Sequence, residues 1–339
     1  MNADVKTSLA AVLAEGHWDA VFDEASSWAA KPDCGPLPFF LLNVVYLLRG
    51  DLAQAWQVFP QALGEEAHIQ VVRAWVEDLK AQYGQSPHLA LCEGILHTQA
   101  GRLEDAFGCF EHVIVSDSKS SYPHFFLGQI HQRQGRMDQA VKSFREAIKR
   151  DPAYVAARLK LGLAYQEQGQ LEMAIPQYRE VLKLQPDNPI GHTNLACALA
   201  EQGKLEPAIE EYKKALQINP DDAEVHFALG NLYENKGRLD LAKRQFEETL
   251  RVEPNFAPAA TAIGWILYDK GQDDFAMDYF SRALKANPDD AQATFGVGRI
   301  YEEKRKPELA VQHYQRALSL EKDPDRKMRI INFMDKLLG

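Results

Sequence analysis

The 339 residues, 46% apolar and 25% charged, have the balance of a soluble globular chain, which excludes disordered, collagenous and membrane-spanning classes. The formal charge of −10 is unevenly placed: residues 1–120 hold 7 Lys+Arg against 16 Asp+Glu, net −9, and residues 121–339 hold 31 against 32, net −1. Neither part carries the basic surplus that displaces counterions from phosphates, so no nucleic-acid partner is expected.

The first residues, MNADVKTSLAAVLAEGHWD, lack the successive charged, apolar and cleavage regions of a secretory leader. The longest apolar stretch, Leu37 to Leu48, is interrupted by Asn43 and falls short of the roughly 20 residues that a bilayer-crossing helix needs. A cytoplasmic chain that does not span a membrane is expected. Its cysteines, Cys34, Cys92, Cys109 and Cys197, show no C-x-x-C spacing and read as reduced packing residues. Residues 1–35 are expected to form an irregular helical section around Trp18, Phe22 and Trp28. Residues 36–86 read as a degenerate helical pair with Tyr46, Gly50, Ala55, Phe59 and Ala62 in register, followed by an extra helix over 70–83. Pro60 predicts a kink in the second helix of that pair.

Self-similarity governs the rest. An alanine recurs at Ala106, Ala140, Ala174, Ala208, Ala242, Ala276 and Ala310, always 34 residues apart. Four residues after each stands an aromatic: Phe110, Phe144, Tyr178, Tyr212, Phe246, Phe280 and Tyr314. Twelve residues before each stands a small residue: Gly94, Gly128, Gly162, Ala196, Gly230, Gly264 and Gly298. Another glycine lies five before the alanine, from Gly101 to Gly271, with Arg305 as the exception, and prolines close five units, from Pro152 to Pro288. Apolar residues within a unit keep helical spacing, as in Phe227, Leu229, Leu232 and Tyr233, then Leu239, Leu241, Phe246 and Leu250.

Each unit is therefore predicted to be a helix–turn–helix. Ser86, Asn188, Asp222 and Asp290 stand where they cap first helices, Pro87 and Pro189 suit a first helical position, and the closing proline stops the second helix. The small columns let two backbones approach while the aromatic fills the gap. Enlarging Ala208 is expected to cost roughly 1–3 kcal/mol. Pro176, beyond the first turn of its helix, is expected to remove one backbone hydrogen bond.

Over residues 87–324 these columns resemble the tetratricopeptide repeat family, with its pattern W-x2-L-G-x2-Y, then A-x3-F, A and P, in units 87–120, 121–154, 155–188, 189–222, 223–256, 257–290 and 291–324. The family's early tryptophan is replaced, for example by His124, Arg158, His192 or His226. The resemblance implies an all-α solenoid, a right-handed superhelix of helix–turn–helix units. Within residues 325–339, Arg326–Leu338 places Ile330, Ile331, Phe333, Met334, Leu337 and Leu338 on a helix that is expected to cap the array.

No nucleophile elbow, P-loop, H-E-x-x-H or dinucleotide-binding glycine motif is present, and no strand is predicted, so neither catalysis nor a cofactor is expected. His124 and His131 stand about 10.5 Å apart along a helix, too far to share an ion. They, His97, His192 and His226 fall on packing columns, and Cys92 and Cys109 are read the same way; no metal is expected.

In the family, the first helix of each unit lines a concave groove with its second, fifth, sixth, ninth, twelfth and thirteenth positions. Carried over, the early groove is apolar: Leu91, Ile95, Tyr122, Phe125, Phe126, Leu159, Leu163 and Ile190. Gln129, Arg133, Asn194 and Asn231 are polar positions of the same surface. The later groove carries an acidic column, Glu167, Glu201, Asp269 and Glu303, with Asn235 at the missing step and Glu234 and Glu302 adjacent. Such a surface suits a protein segment with large apolar side chains at one end and Lys or Arg at the other. The alternative is that the acids are a solvated face and the aromatics pack beneath the N-terminal helices.

The Lys–Asn clamp of chaperone-binding members is not matched, since its positions read Phe125/Gln129, Leu159/Leu163, Thr193/Cys197 and Phe227/Asn231. The asparagine ladder of other members appears at Asn194 only. The expectation is a non-catalytic scaffold or adaptor that binds a partner segment around Tyr122, Phe125 and Phe126. The alternatives are a self-associating assembly scaffold, with a homo-oligomer possible, and a regulatory or substrate-presenting subunit of a separate enzyme.

Overall fold

A computed structural model describes residues 17–31, 34–49, 54, 58, 66–83 and 86–338, and among them the regular structure is entirely helical. Two compact units divide the chain, Met1–Pro186 and Asp187–Gly339.

The first unit begins with α1 (Trp18–Ala29), α2 (Leu37–Arg49) and α3 (Glu66–Tyr83). In α2 Leu37, Phe40, Leu41, Leu42, Val44 and Val45 are buried, Phe39 is half-buried, and the interrupting Asn43 is buried too. Its Oδ1 accepts a hydrogen bond from Gln99 Nε2 at 2.5 Å, which satisfies a polar group that would otherwise be costly inside. The extra helix α3 starts at Glu66 and buries Val72, Trp75, Val76 and Leu79, spaced i, i+3, i+4 and i+7. The expected Gly50, Ala55, Phe59, Pro60 and Ala62, and with them the Pro60 kink, lie outside the described residues. Three helix pairs follow: α4 (Pro87–Gln99) with α5 (Leu103–Ser116), α6 (Tyr122–Arg133) with α7 (Met137–Arg150), and α8 (Val155–Glu167) with α9 (Leu171–Leu184). Helix α9 runs through Pro176 without ending there.

The second unit holds four pairs: α10 (Pro189–Glu201) with α11 (Leu205–Ile218), α12 (Ala223–Asn235) with α13 (Leu239–Val252), α14 (Ala257–Asp269) with α15 (Asp273–Ala286), and α16 (Ala291–Glu303) with α17 (Pro307–Leu320). Helix α18 (Pro324–Leu338) ends the chain. Its Ile330 is buried against Phe295, Ala310, Tyr314 and Ala317, with Phe333, Met334 and Leu337 packed around them, so it closes the exposed end of the last pair.

The sequence columns explain how each pair forms. Ser86, Asn188, Asp222 and Asp290 accept backbone N–H groups from Leu89, Gly191, Val225 and Ala293 at 2.8–3.2 Å, satisfying donors that the first turn leaves orphaned. The turn glycines end the first helix in the left-handed region, φ 68° at Gly237, and Arg305 adopts the same turn at φ 54°. In the other glycine column a Cβ would stand 2.5 Å from the ring of the aromatic sixteen residues later, as at Gly128 against Phe144. Where that aromatic is tyrosine, its hydroxyl has a partner: Tyr178 donates to Gln166 at 3.0 Å and Tyr314 to Glu302 at 2.5 Å.

Consecutive pairs are tied by polar contacts at repeat spacing. Arg282 and Arg316 donate to the carbonyls of Pro254 and Pro288, the closing prolines of the preceding repeats, at 3.1 and 2.8 Å. The residues that replace the family tryptophan do the same work on the other helix. Arg158 donates to the Pro152 carbonyl at 2.8 and 2.9 Å, and His226 sits 3.0 Å from the Pro220 carbonyl and 2.8 Å from Gln245 Oε1.

Candidate functional site

In the first unit the expected aromatic floor is interior. Leu91, Ile95, Phe125 and Phe126 are only 1–2% exposed, which corrects the expectation that they line an accessible groove. Phe126 stacks on Phe110 with centroids 5.4 Å apart, while Phe125 meets Phe126, Phe144 and Tyr154 at 5.3, 6.1 and 5.0 Å. These rings are the cement between neighbouring repeats, and burying them there gains more than leaving them for a partner. Tyr122, Gln129, Leu159 and Leu163 remain half-buried, and Arg133 and Glu167 are exposed. Arg133 donates to the Thr98 carbonyl at 3.3 Å, and Glu167 accepts from Gln132 at 3.0 Å.

In the second unit Ile190 is 49% exposed at the start of α10, and Asn194 and Asn231 are half-buried. The Nδ2 of Asn194 is buried without a hydrogen-bond partner among the described residues. Glu201, Glu234, Asn235, Asp269 and Glu303 are all exposed. They occupy the final turns of α10, α12, α14 and α16, which hold no basic residue, while Lys236, Lys270 and Lys304 stand just beyond, at the C-caps of α12, α14 and α16.

That placement runs against helix electrostatics. The C-terminal end carries partial negative charge, so a carboxylate there is unfavourable by about 0.3–1 kcal/mol at low ionic strength. The second helices α13 and α15 follow the favourable rule, with Arg251 and Lys285 in their last turns. The acids also act on one another: partial burial, then the charge of Asp269, raises the Glu234 carboxyl above its ordinary range. Glu303 is already engaged, with Tyr268 donating to it at 3.3 Å and the Arg299 guanidinium 3.8 Å away. Arg299 in turn lies 3.9 Å over the Phe333 ring of α18. Glu201 is engaged too, accepting from Cys197 Sγ at 3.4 Å, so within this column Glu234 and Asp269 form the exposed pair that act on each other.

Two arrangements are not apparent from the sequence alone. One is a ladder within the second unit, starting from the C-caps of α12, α14 and α16, in which Lys236 meets Glu206 at 2.7 Å, Lys270 meets Asp240 at 2.5 Å and Lys304 meets Asp274 at 2.7 Å, always thirty residues apart. Its signal is present as lysine and acid columns at 34-residue steps. The other is Glu93, His97 and Cys109, whose ligating atoms lie within 4.8 Å of one another in the first unit and could hold a metal ion. Glu93 and His97 share a face of α4 at i, i+4, and Cys109 projects from α5. Burial, with the Glu93 charge beside it, pushes the Cys109 thiol up to about 12, and burial alone pushes Cys92 to about 12. Burial also lowers the pKa of His97, His124 and His131, favouring their neutral forms.

Known proteins share this architecture. A profile described as "Tetratricopeptide repeat" matches residues 125–189, 227–287 and 274–327, and one described as "TPR repeat" matches 197–237. No curated protein sequence matches the chain. Among solved structures, pilF of Pseudomonas aeruginosa is similar at 21% identity and a TM-score of 0.56, covering 62% of this chain and 96% of its own. A tetratricopeptide repeat protein of Parabacteroides merdae is similar at 17% identity and a TM-score of 0.55, covering 76% and 100%. The APC/C hetero-tetramer Cut9–Hcn1 is similar at 15% identity and a TM-score of 0.54, covering 91% of this chain and 64% of that chain. The registered columns, the helix pairs that they build and the profile matches show that the chain belongs to the tetratricopeptide repeat family.

Proposed function

We propose that the chain is a non-catalytic scaffold that binds a partner protein segment carrying Lys or Arg along the ends of α10, α12 and α14. The repeat fold supports a protein-interaction role, and the carboxylates at the wrong helix ends support the charge of the partner. Glu201, Glu234 and Asp269 each oppose their own helix dipole, and Glu234 and Asp269 oppose each other; a cation between them relieves both penalties. Ile190, exposed at the start of α10, offers the segment an apolar contact. The setting we infer is cytoplasmic: the four cysteines are thiols and not disulfides, and no described helix is long and apolar enough to cross a membrane.

An array of synthetic segments with single positions varied tests this reading. The wild-type chain should select Lys or Arg at two positions, and Glu234→Lys with Asp269→Lys should lose that selection while keeping its helical circular dichroism. Selection of acidic or uncharged segments contradicts it.

A further inference from the structure

We propose that Glu93, His97 and Cys109 form a zinc-binding site joining α4 to α5. The three donors are half-buried and open onto a pocket of about 610 Å³ that Lys80, Asp105 and His112 also line. The His97 ring is oriented as a ligand would be, since its Nε2 lies 3.8 Å from Glu93 Oε1 while its Nδ1 lies 3.9 Å from Asp105 Oδ2. That buried Nδ1 makes no hydrogen bond among the described residues. A carboxylate behind a ligating imidazole is the arrangement that fixes the tautomer and orients the ring in zinc sites.

The donor set selects the ion. Thiolate and imidazole disfavour magnesium and calcium, which take oxygen ligands, and the mixed S, N, O set suits tetrahedral zinc. Zinc–ligand bonds of about 2.0–2.3 Å place tetrahedral donors about 3.3–3.6 Å apart, so the three side chains close by roughly 1 Å, which rotation about their χ angles supplies. Cys109 enters as the thiolate and releases its proton to solvent, and water completes the fourth position. Without metal, the Lys80 ammonium serves as the cation at this carboxylate, 3.0 Å from Glu93 Oε1. Zinc displaces it, so Lys80 is a built-in competitor and not a ligand.

The test uses the full chain, stripped by a chelator and titrated with zinc alone against a chromophoric competitor. One zinc per chain is expected. Cys109→Ser, His97→Gln and Glu93→Gln should each weaken it at least tenfold, Asp105→Asn about tenfold as a partner behind the ligand, and Lys80→Met should tighten it severalfold. Cobalt(II) in place of zinc should give a thiolate-to-metal charge-transfer band that Cys109→Ser abolishes and Cys197→Ser retains. Circular dichroism matching wild type keeps the variants comparable, and should Cys109→Ser lose helicity, Glu93→Gln and Lys80→Met still decide through their opposite directions. No zinc on the wild-type chain, or equal retention by the Cys109, His97 and Glu93 variants, overturns the site.

Discussion

A Cβ placed on Gly230 would stand 2.5 Å from Cε1 of Phe246, inside the approach that real side chains keep. The same crowding recurs wherever this column holds glycine, for instance at Gly264 against Phe280 at 2.6 Å. The aromatic is fully buried, so it has no free volume to retreat into. Gly230→Ala is therefore expected to destabilise by about 1–3 kcal/mol as an overpacked helix pair. Gly108→Ala, on α5 with nothing within 4 Å of its Cβ, should instead stabilise by about 0.8–1 kcal/mol through helix propensity. Urea midpoints of the two variants, measured side by side, should move in opposite directions.

Arg305 holds the turn that glycine holds in the other repeats. A left-handed backbone costs a residue with a Cβ about 1–2 kcal/mol, and a glycine gives back about 0.5–1 kcal/mol of that through its larger unfolded-state entropy. Arg305→Gly should stabilise by a net of up to about 1 kcal/mol, read as a raised thermal midpoint. A lowered midpoint would contradict the turn assignment.

Phe125 is a structural residue. Its truncation to alanine empties a space among Phe126, Phe144 and Tyr154 and should cost about 3–5 kcal/mol. At temperatures where the variant stays folded, peptide binding at the acidic face of α12 and α14 should be unchanged. Loss of binding at unaltered stability would return Phe125 to a partner surface.

How much of this was legible depended on what a column reports. The 34-residue register specifies neighbours along the repeat, so the helix pairs followed from spacing, the caps at Asn188 and Asp290 from residue type at a fixed position, and the closing helix around Ile330 from its own apolar pattern beyond the last repeat. Depth is a different quantity. Phe125 and Phe126 occupy family groove positions, yet large rings there are drawn into the seam between repeats because two rings, Phe110 and Phe144, stand ready to cover them. Glu93, His97 and Cys109 were invisible for the converse reason: each sits on an ordinary helical position, and only the docking of α4 on α5 brings them together.

The lysine ladder gives the second unit an acid dependence. Hydrogen bonds from Lys270 and Lys304, reinforced by their charges, hold the carboxyls of Asp240 and Asp274 below their usual range. A carboxyl whose folded pKa is depressed contributes stability that is fully present above its unfolded value, about 3.9 for Asp, and is lost as the pH falls through the folded value. The thermal midpoint should therefore decline below about pH 4, and Asp240→Asn with Asp274→Asn should flatten that decline. These pairs are exposed, so added salt should shrink the difference between wild type and variant.

The central claim is that carboxylates set against their own helix ends exist to hold a cationic segment. Fluorescence anisotropy of a labelled Lys-bearing peptide, taken from the array selection and titrated with the wild-type chain and with the Glu234→Lys, Asp269→Lys variant at low and high salt, tests it most directly. The account predicts binding that weakens with salt in the wild type and is lost in the variant, with equal helicity in both. Binding that is indifferent to salt and survives the charge reversal would contradict it.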